Sequence, residues 1–378
     1  MLSATKSQRF SLADVLTSCL SAVRGEANAL ELGGVKRAVV VLADGLGAHA
    51  LKASAGHART LAPMLSKATT ASVGFPTTTA SSLASLTTGT HPGEHGLVGY
   101  RVLDVERDRV FNQLTEWGGP IDPAVWQRCR TVFEIAGDAK IPSFCVGVER
   151  YRNTGFTQAV LRGAEFRAAG TIDQRLDEAR RILDEHERAL IYVYVPELDQ
   201  AGHSHGWQSR AWTDRLEELD SAARGFGSSL SAEEGMVLTA DHGVIDVASH
   251  HHIILDDRSG LLDGVRHLAG EPRCLQLHLE PDASEGQRRD ILRRWVDSES
   301  GRSWVVSRAE AVATGWFGPQ VAPEVLPRIG DILVAARKSI AYYDGRVATD
   351  SGRTMVGQHG SLTPDEVLVP LLRFGAFG

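Results

Sequence analysis

The sequence predicts an α/β fold in which a mostly parallel central sheet is flanked by helices and carries a smaller α+β insertion. Three observations point there. Short, largely apolar runs such as Ala38-Val-Val-Val-Leu-Ala43, 189–195 and 236–240 read as strands, the first with the continuous apolar run of a parallel strand buried on both faces. Segments with helical apolar spacing separate them. Each run also ends at an acid or a histidine, at the carboxyl edge where open α/β sheets place their ligands. At 378 residues the chain exceeds a usual single core, which predicts one large domain with insertions or two domains.

Composition narrows the partners. A formal net charge of -7 argues against a nucleic-acid polymer. Cys19, Cys129, Cys145 and Cys274 are scattered without metal-site or disulfide-framework spacing, as expected of thiols in a reducing compartment. The first thirty residues lack a basic-then-apolar leader pattern, and no window reaches transmembrane length. A cytoplasmic address without a membrane partner is the expectation.

In order, residues 1–30 form an N-terminal helical segment, its helix at 10–23, and 31–378 form the main domain. The strand at 37–43 runs into Asp44-Gly45-Leu46-Gly47. A dinucleotide loop is rejected there, because Ala50 stands where the third glycine belongs. A helix at 48–54 and a short strand at 69–73 lead to Gly74-Phe-Pro-Thr-Thr-Thr-Ala-Ser-Ser-Leu-Ala-Ser-Leu-Thr-Thr-Gly89. In this stretch Thr79 falls at an N-cap, with Gly89 as the stop. A loop at 91–96 and an irregular excursion at 100–130, able to wall a pocket, follow. The βα alternation resumes with a helix at 131–138, a strand at 141–146, a helix at 171–186, a strand at 188–195, a helix at 211–230 and a strand at 236–240. Residues 244–343 read as the insertion, with a half-exposed strand at 273–279, a helix at 284–298 and a strand at 332–336. Gly357-Gln-His359-Gly360 and a last strand at 367–372 close the chain.

The chemistry lies in Asp44, Asp199-x-x-x-His203, Asp241-His242 and His359. Singly, each has a blander reading as a cap, a turn acid or a loop histidine. Together, six oxygen and nitrogen ligands from four segments suit two divalent metal ions, zinc first and manganese as the alternative. Two such ions about 4 Å apart are the usual clamp for in-line phosphoryl transfer. His205 is a pocket or supporting candidate, His250-His251-His252 a loop run, His91 and His95 structural, and Glu271 a turn acid.

These motifs occur in the order found in the alkaline phosphatase superfamily, and from about Arg37 onward the chain most resembles the type I phosphodiesterases and nucleotide pyrophosphatases. The resemblance implies one metal held by Asp199, His203 and His359 and a second held by Asp44, Asp241 and His242. Thr79 would be the nucleophile bridging toward the second. A threonine hydroxyl is a poor nucleophile until its pKa is lowered. Attack would give a phosphothreonyl enzyme, and the expected substrate is a small phosphorylated molecule such as a nucleotide. One departure concerns the substrate: Tyr100 stands where the nucleotide pyrophosphatases supply an asparagine, and its hydroxyl or the Ala80 N–H is the candidate replacement. A phosphomonoesterase, a phosphonate hydrolase and a non-catalytic metal-binding module are the alternatives.

Overall fold

The computed structural model describes residues 8–119, 121–256, 260–346 and 351–378. Residues 1–7 of the N-terminal segment, Pro120 of the Gly118-Gly119-Pro120 turn and residues 257–259 of the expected insertion lie outside the described residues.

Arg37–Ala43 occupies the middle of the main sheet, and from Ala38 onward it is buried, which is why every one of those positions is apolar. Around it the order is Thr70–Ser72, Leu368–Gly375, Glu234–Thr239, Arg37–Ala43, Ala189–Val195, Ser143–Gly147 and Glu165–Ala168. Six strands run parallel; Leu368–Gly375 is antiparallel to both neighbours. Helices Ala13–Arg24, Ile172–Glu185 and Arg210–Ser229 pack their apolar stripes onto this sheet through Leu16, Leu176 and Leu216. The N-terminal segment docks beside Thr70–Ser72, Leu12 N–H donating to the Ser72 carbonyl at 2.9 Å.

A second, antiparallel sheet has the order Ser303–Ser307, Ile332–Ala336, Cys274–Leu279, Val265–Glu271, Arg101–Asp104 and Arg109–Asn112. Its outer pair corrects the irregular reading of 100–130: a hairpin forms there because Arg101 meets Gly270, a partner far away in sequence. The strand Cys274–Leu279 is also buried throughout rather than half exposed. Leu275, Leu277 and Leu279 enter one apolar core, while Gln276 on the other face donates to the Val98 carbonyl at 2.7 Å and accepts from Gly330 N–H at 3.0 Å. Gln276 on its polar face therefore meets hydrogen-bonding protein, not solvent.

A buried ion pair joins the two sheets. Arg273 donates to both oxygens of Glu366 at 2.8 and 2.9 Å, and Glu366 also accepts from Ser361 N–H and the Thr363 hydroxyl. Among the described residues, no helix is long and apolar enough to cross a membrane.

Candidate active site and metal centre

Asp44 and Asp241-His242 follow the ends of adjacent parallel strands, so the sheet itself sets their spacing. Asp199 and His203 lie on the helix Glu197–His205, where the sequence had suggested only a segment trailing from a strand; the i,i+4 spacing puts both on one face. His359 follows the short strand Gly357–Gln358. Thr79 is the first residue of the helix Thr79–Thr88, and Thr78 is its N-cap, one position earlier than expected. The Thr79 hydroxyl is thus not spent on capping, and it sits at the positive end of the helix dipole.

The structure brings all seven residues together. Asp199, His203 and His359 form one group and Asp44, Asp241 and His242 another, each with ligand atoms within 4.8 Å of one another. The rings of His242 and His359 stack with centroids 3.7 Å apart, joining the groups. His203 Nδ1 lies 2.8 Å from the Gly357 carbonyl and His359 Nδ1 2.7 Å from the Thr77 carbonyl. A carbonyl only accepts, so each Nδ1 carries the proton and each Nε2 is the ring nitrogen left for a ligand. His242 Nε2 is 3.2 Å from the Thr79 hydroxyl and 3.4 Å from both Asp44 Oδ1 and Asp241 Oδ2.

The electrostatics favour cations. Asp44 Oδ1, Asp199 Oδ1 and Asp241 Oδ2 are buried without a hydrogen-bond partner. Among the described residues, the ion-pair partners of these acids are histidines. Burial, with Asp199 nearby, pushes Asp241 up to about 7; burial and the Asp241 and Asp199 charges raise Asp44 well above the carboxylate range. His242 is lowered, first by burial and then by His359 and His203. Buried carboxylates are stable when paired or coordinating, and this oxygen and nitrogen donor set fits two divalent ions.

Close backbone packing holds the site. At φ 74°, Gly45 adopts the left-handed conformation, and a Cβ there would come within 3.1 Å of the Asp199 Cβ. Its N–H donates to Asp241 Oδ1 at 3.2 Å. Two contributors escaped the sequence reading. The Tyr194 hydroxyl donates to Asp44 Oδ2; the period of two along its strand puts Tyr192 and Tyr194 on one face but does not reveal the partner. Glu271, expected as a turn acid, is buried, accepts from Tyr100 N–H at 2.9 Å and is pushed up to about 8 by burial. His205 is exposed, whereas His95 is buried on Ser85 at 3.0 Å, and His91 caps the short helix Pro92–His95 that replaces the expected loop.

A cleft of about 620 Å³ opens from Asp44, Thr79 and Asp199. Leu83, Trp117, Tyr151 and Phe156 are among its walls, and Trp117 comes from the 100–130 excursion. Tyr100 is not among the residues that line this cleft, and its N–H donates to Glu271 at 2.9 Å.

The family model described as type I phosphodiesterase / nucleotide pyrophosphatase matches residues 38–362. The chain belongs to this family. Its phosphodiesterase relatives include two from Saccharomyces cerevisiae. Ectonucleotide pyrophosphatase/phosphodiesterase 1 is 25% identical over 221 residues, 48% of this chain and 29% of the relative. Ectonucleotide pyrophosphatase/phosphodiesterase 2 is 26% identical over 208 residues, 49% and 41% respectively. The matches thus span less than half the length of these curated relatives. Among solved structures, murine ectonucleotide pyrophosphatase / phosphodiesterase 5 aligns with a TM-score of 0.65 and 14% identity, covering 89% of this chain and 88% of that one. The phosphonoacetate hydrolase of Sinorhizobium meliloti in complex with phosphonoacetate aligns at 0.67 and 17%, covering 90% and 91%. These likenesses bear out the α/β fold with its mostly parallel sheet.

Proposed function

We propose that the protein hydrolyses phosphodiester or phosphoanhydride bonds of small phosphorylated substrates, with Thr79 as nucleophile. The observation that carries this reading is the Thr79 hydroxyl standing 3.2 Å from His242, beside buried carboxylates whose ion-pair partners among the described residues are histidines, and at the inner end of a cleft. Asp199, His203 and His359 would hold one divalent ion and Asp44, Asp241 and His242 a second, zinc or manganese. When bound, these ions would lower the pKa of the attacking hydroxyl and neutralise charge on the attacking and leaving oxygens.

The chain's own groups supply the rest. Thr79 Oγ attacks phosphorus, the bond to the leaving oxygen breaks, and a phosphothreonyl enzyme forms. Water then cleaves the bond from Thr79 to phosphorus and restores the hydroxyl. The helix N-terminus at Thr79 favours the negative phosphoryl oxygens. Tyr194 fixes Asp44, and the Thr77 and Gly357 carbonyls fix the two imidazole tautomers. His242 Nε2 faces Asp44 and Asp241 as well as the Thr79 hydroxyl, which places it with the ligand set rather than as a lone general base. A nucleotide is a fitting substrate class; an inactive variant of the murine neighbour has been captured with AMP.

The test compares bis-p-nitrophenyl phosphate with p-nitrophenyl phosphate, with zinc or manganese, for wild type and Thr79→Ala. Faster diester turnover, falling by at least about 10³-fold in the variant and abolished by chelation, is expected. Undiminished turnover in Thr79→Ala would remove the nucleophile, and a monoester preference would move the activity to the phosphatase class.

A further inference from the structure

The cleft that begins at Thr79 has one cationic residue among its described lining residues, Arg150. Its local sequence, Glu149-Arg150-Tyr151-Arg152, places one acid ahead of two nearby guanidiniums. The acid is taken by the other one: Arg152 Nε meets both Glu149 oxygens at 2.9 and 3.1 Å, and Arg152 Nη2 meets Oε2 at 2.9 Å. Arg152 also donates to the Phe166 carbonyl at 2.7 Å, which completes its role as a strut behind the cleft wall. Among the described residues Arg150 makes a single hydrogen bond, from Nη2 to the Tyr151 hydroxyl at 2.9 Å, and its guanidinium lies 4.9 Å from the centre of that ring.

That contact orients the charge and connects it to the site. Gln200, the neighbour of Asp199, donates to the same Tyr151 hydroxyl at 3.4 Å. The Tyr151 ring meets Tyr194 edge-on at 5.7 Å, and Tyr194 donates to Asp44. Arg150 is therefore a stacked cation with most of its donors unspent, held at the rim of a cleft whose inner end binds phosphorus under the reading above. A planar guanidinium with a free fork is suited to a carboxylate or a phosphate.

We infer that Arg150 is a specificity residue and that the preferred substrates carry a second anionic group, a carboxylate or a phosphate, at the end remote from the reacting phosphorus. The inference rests on the proposed phosphoryl site for the position of the first anion. Arg150 recognises the far end of the substrate and takes no part in bond breaking. Because Arg150 is exposed, the preference weakens as salt is added.

Calorimetric binding to zinc-loaded protein tests it without requiring turnover. The probes are phenylphosphonate, 4-carboxyphenylphosphonate and 1,4-phenylenediphosphonate, with wild type, Arg150→Gln and Arg150→Lys. Wild type is expected to bind at least one doubly functionalised probe about 10-fold or more tightly than phenylphosphonate. That preference should shrink to within about 2-fold in Arg150→Gln, survive in part in Arg150→Lys, and decline with salt. The better of the two anions names the substrate class. No preference in wild type, or the same preference in Arg150→Gln, overturns the inference. Turnover of bis-p-nitrophenyl phosphate by the same proteins reads the hydrolase separately: absent turnover with an intact anion preference removes the proposed function and leaves the Arg150 site standing.

Discussion

The hydroxyl of Tyr194 reaches Asp44 Oδ2, and this bond decides which carboxylate oxygen remains for a cation. Tyr194→Phe removes it while keeping the ring beside Tyr151 and Tyr192. Zinc titration of this variant should show one of two binding events weakened by about 10- to 100-fold, the usual effect of losing a group that orients a ligand. Equal weakening of both, or of neither, would contradict the assignment of Asp44 to its own ion. Glu271 gives a pH prediction. Its folded pKa is raised by burial to about 8, above an unfolded value of about 4.3. The folded state then keeps a proton that the unfolded chain loses, so this contribution is full below the unfolded value and is lost as pH rises toward 8. Glu271→Gln retains an acceptor for Tyr100 N–H and should flatten that decline by on the order of 1–3 kcal/mol. Urea unfolding of metal-stripped protein from pH 5 to 9 is the measurement, and an unchanged slope would exclude Glu271 as its source.

Among the elements, the parallel strands were legible because burial on both faces forces a continuous apolar run, and the acids and histidines at their ends followed. Asp44, Asp241 and His242 stand out in sequence for that reason and Asp199-x-x-x-His203 trails the strand Ala189–Val195, whereas Thr79 and His359 stand outside that pattern in their own local motifs. What escaped depends on partners remote in sequence. The hairpin Arg101–Asp104 with Arg109–Asn112 needs Val265–Glu271 beside it, and nothing near Arg101 announces that. The polar face of Cys274–Leu279 looked like solvent exposure because sequence periodicity cannot distinguish water from the Val98 carbonyl as a partner of Gln276. Close approach of backbones is equally silent. A Cβ on Gly243, next to His242, would lie 2.0 Å from the Asp365 carbonyl oxygen and 2.9 Å from the Gly47 Cα. Gly243→Ala must therefore push apart the turns that carry Asp44 and His242, at about 1–3 kcal/mol. A lowered melting temperature together with weakened zinc binding is expected; normal values of both would show that the turns yield freely.

On the scale of the whole molecule, Arg273 and Glu366 tie the second sheet to the segment that follows His359. Both are fully buried, so Arg273→Ala strands a carboxylate and should destabilise the protein by about 3–5 kcal/mol. Glu366 also holds Ser361 N–H, and the same variant should bind zinc more weakly. Urea denaturation and titration read the two effects, and a variant as stable as wild type would show the pair to be dispensable. The position of Leu368–Gly375 carries a different consequence. This strand lies between Thr70–Ser72 and Glu234–Thr239, one place in from the sheet's edge. Until it arrives, Glu234–Thr239 presents a bare ladder of amides and carbonyls flanked by apolar side chains, the kind of edge that recruits other chains. A growing polypeptide therefore exposes that ladder for as long as the intervening second sheet is being made, and protection from self-association waits on a strand remote in sequence from the one it covers.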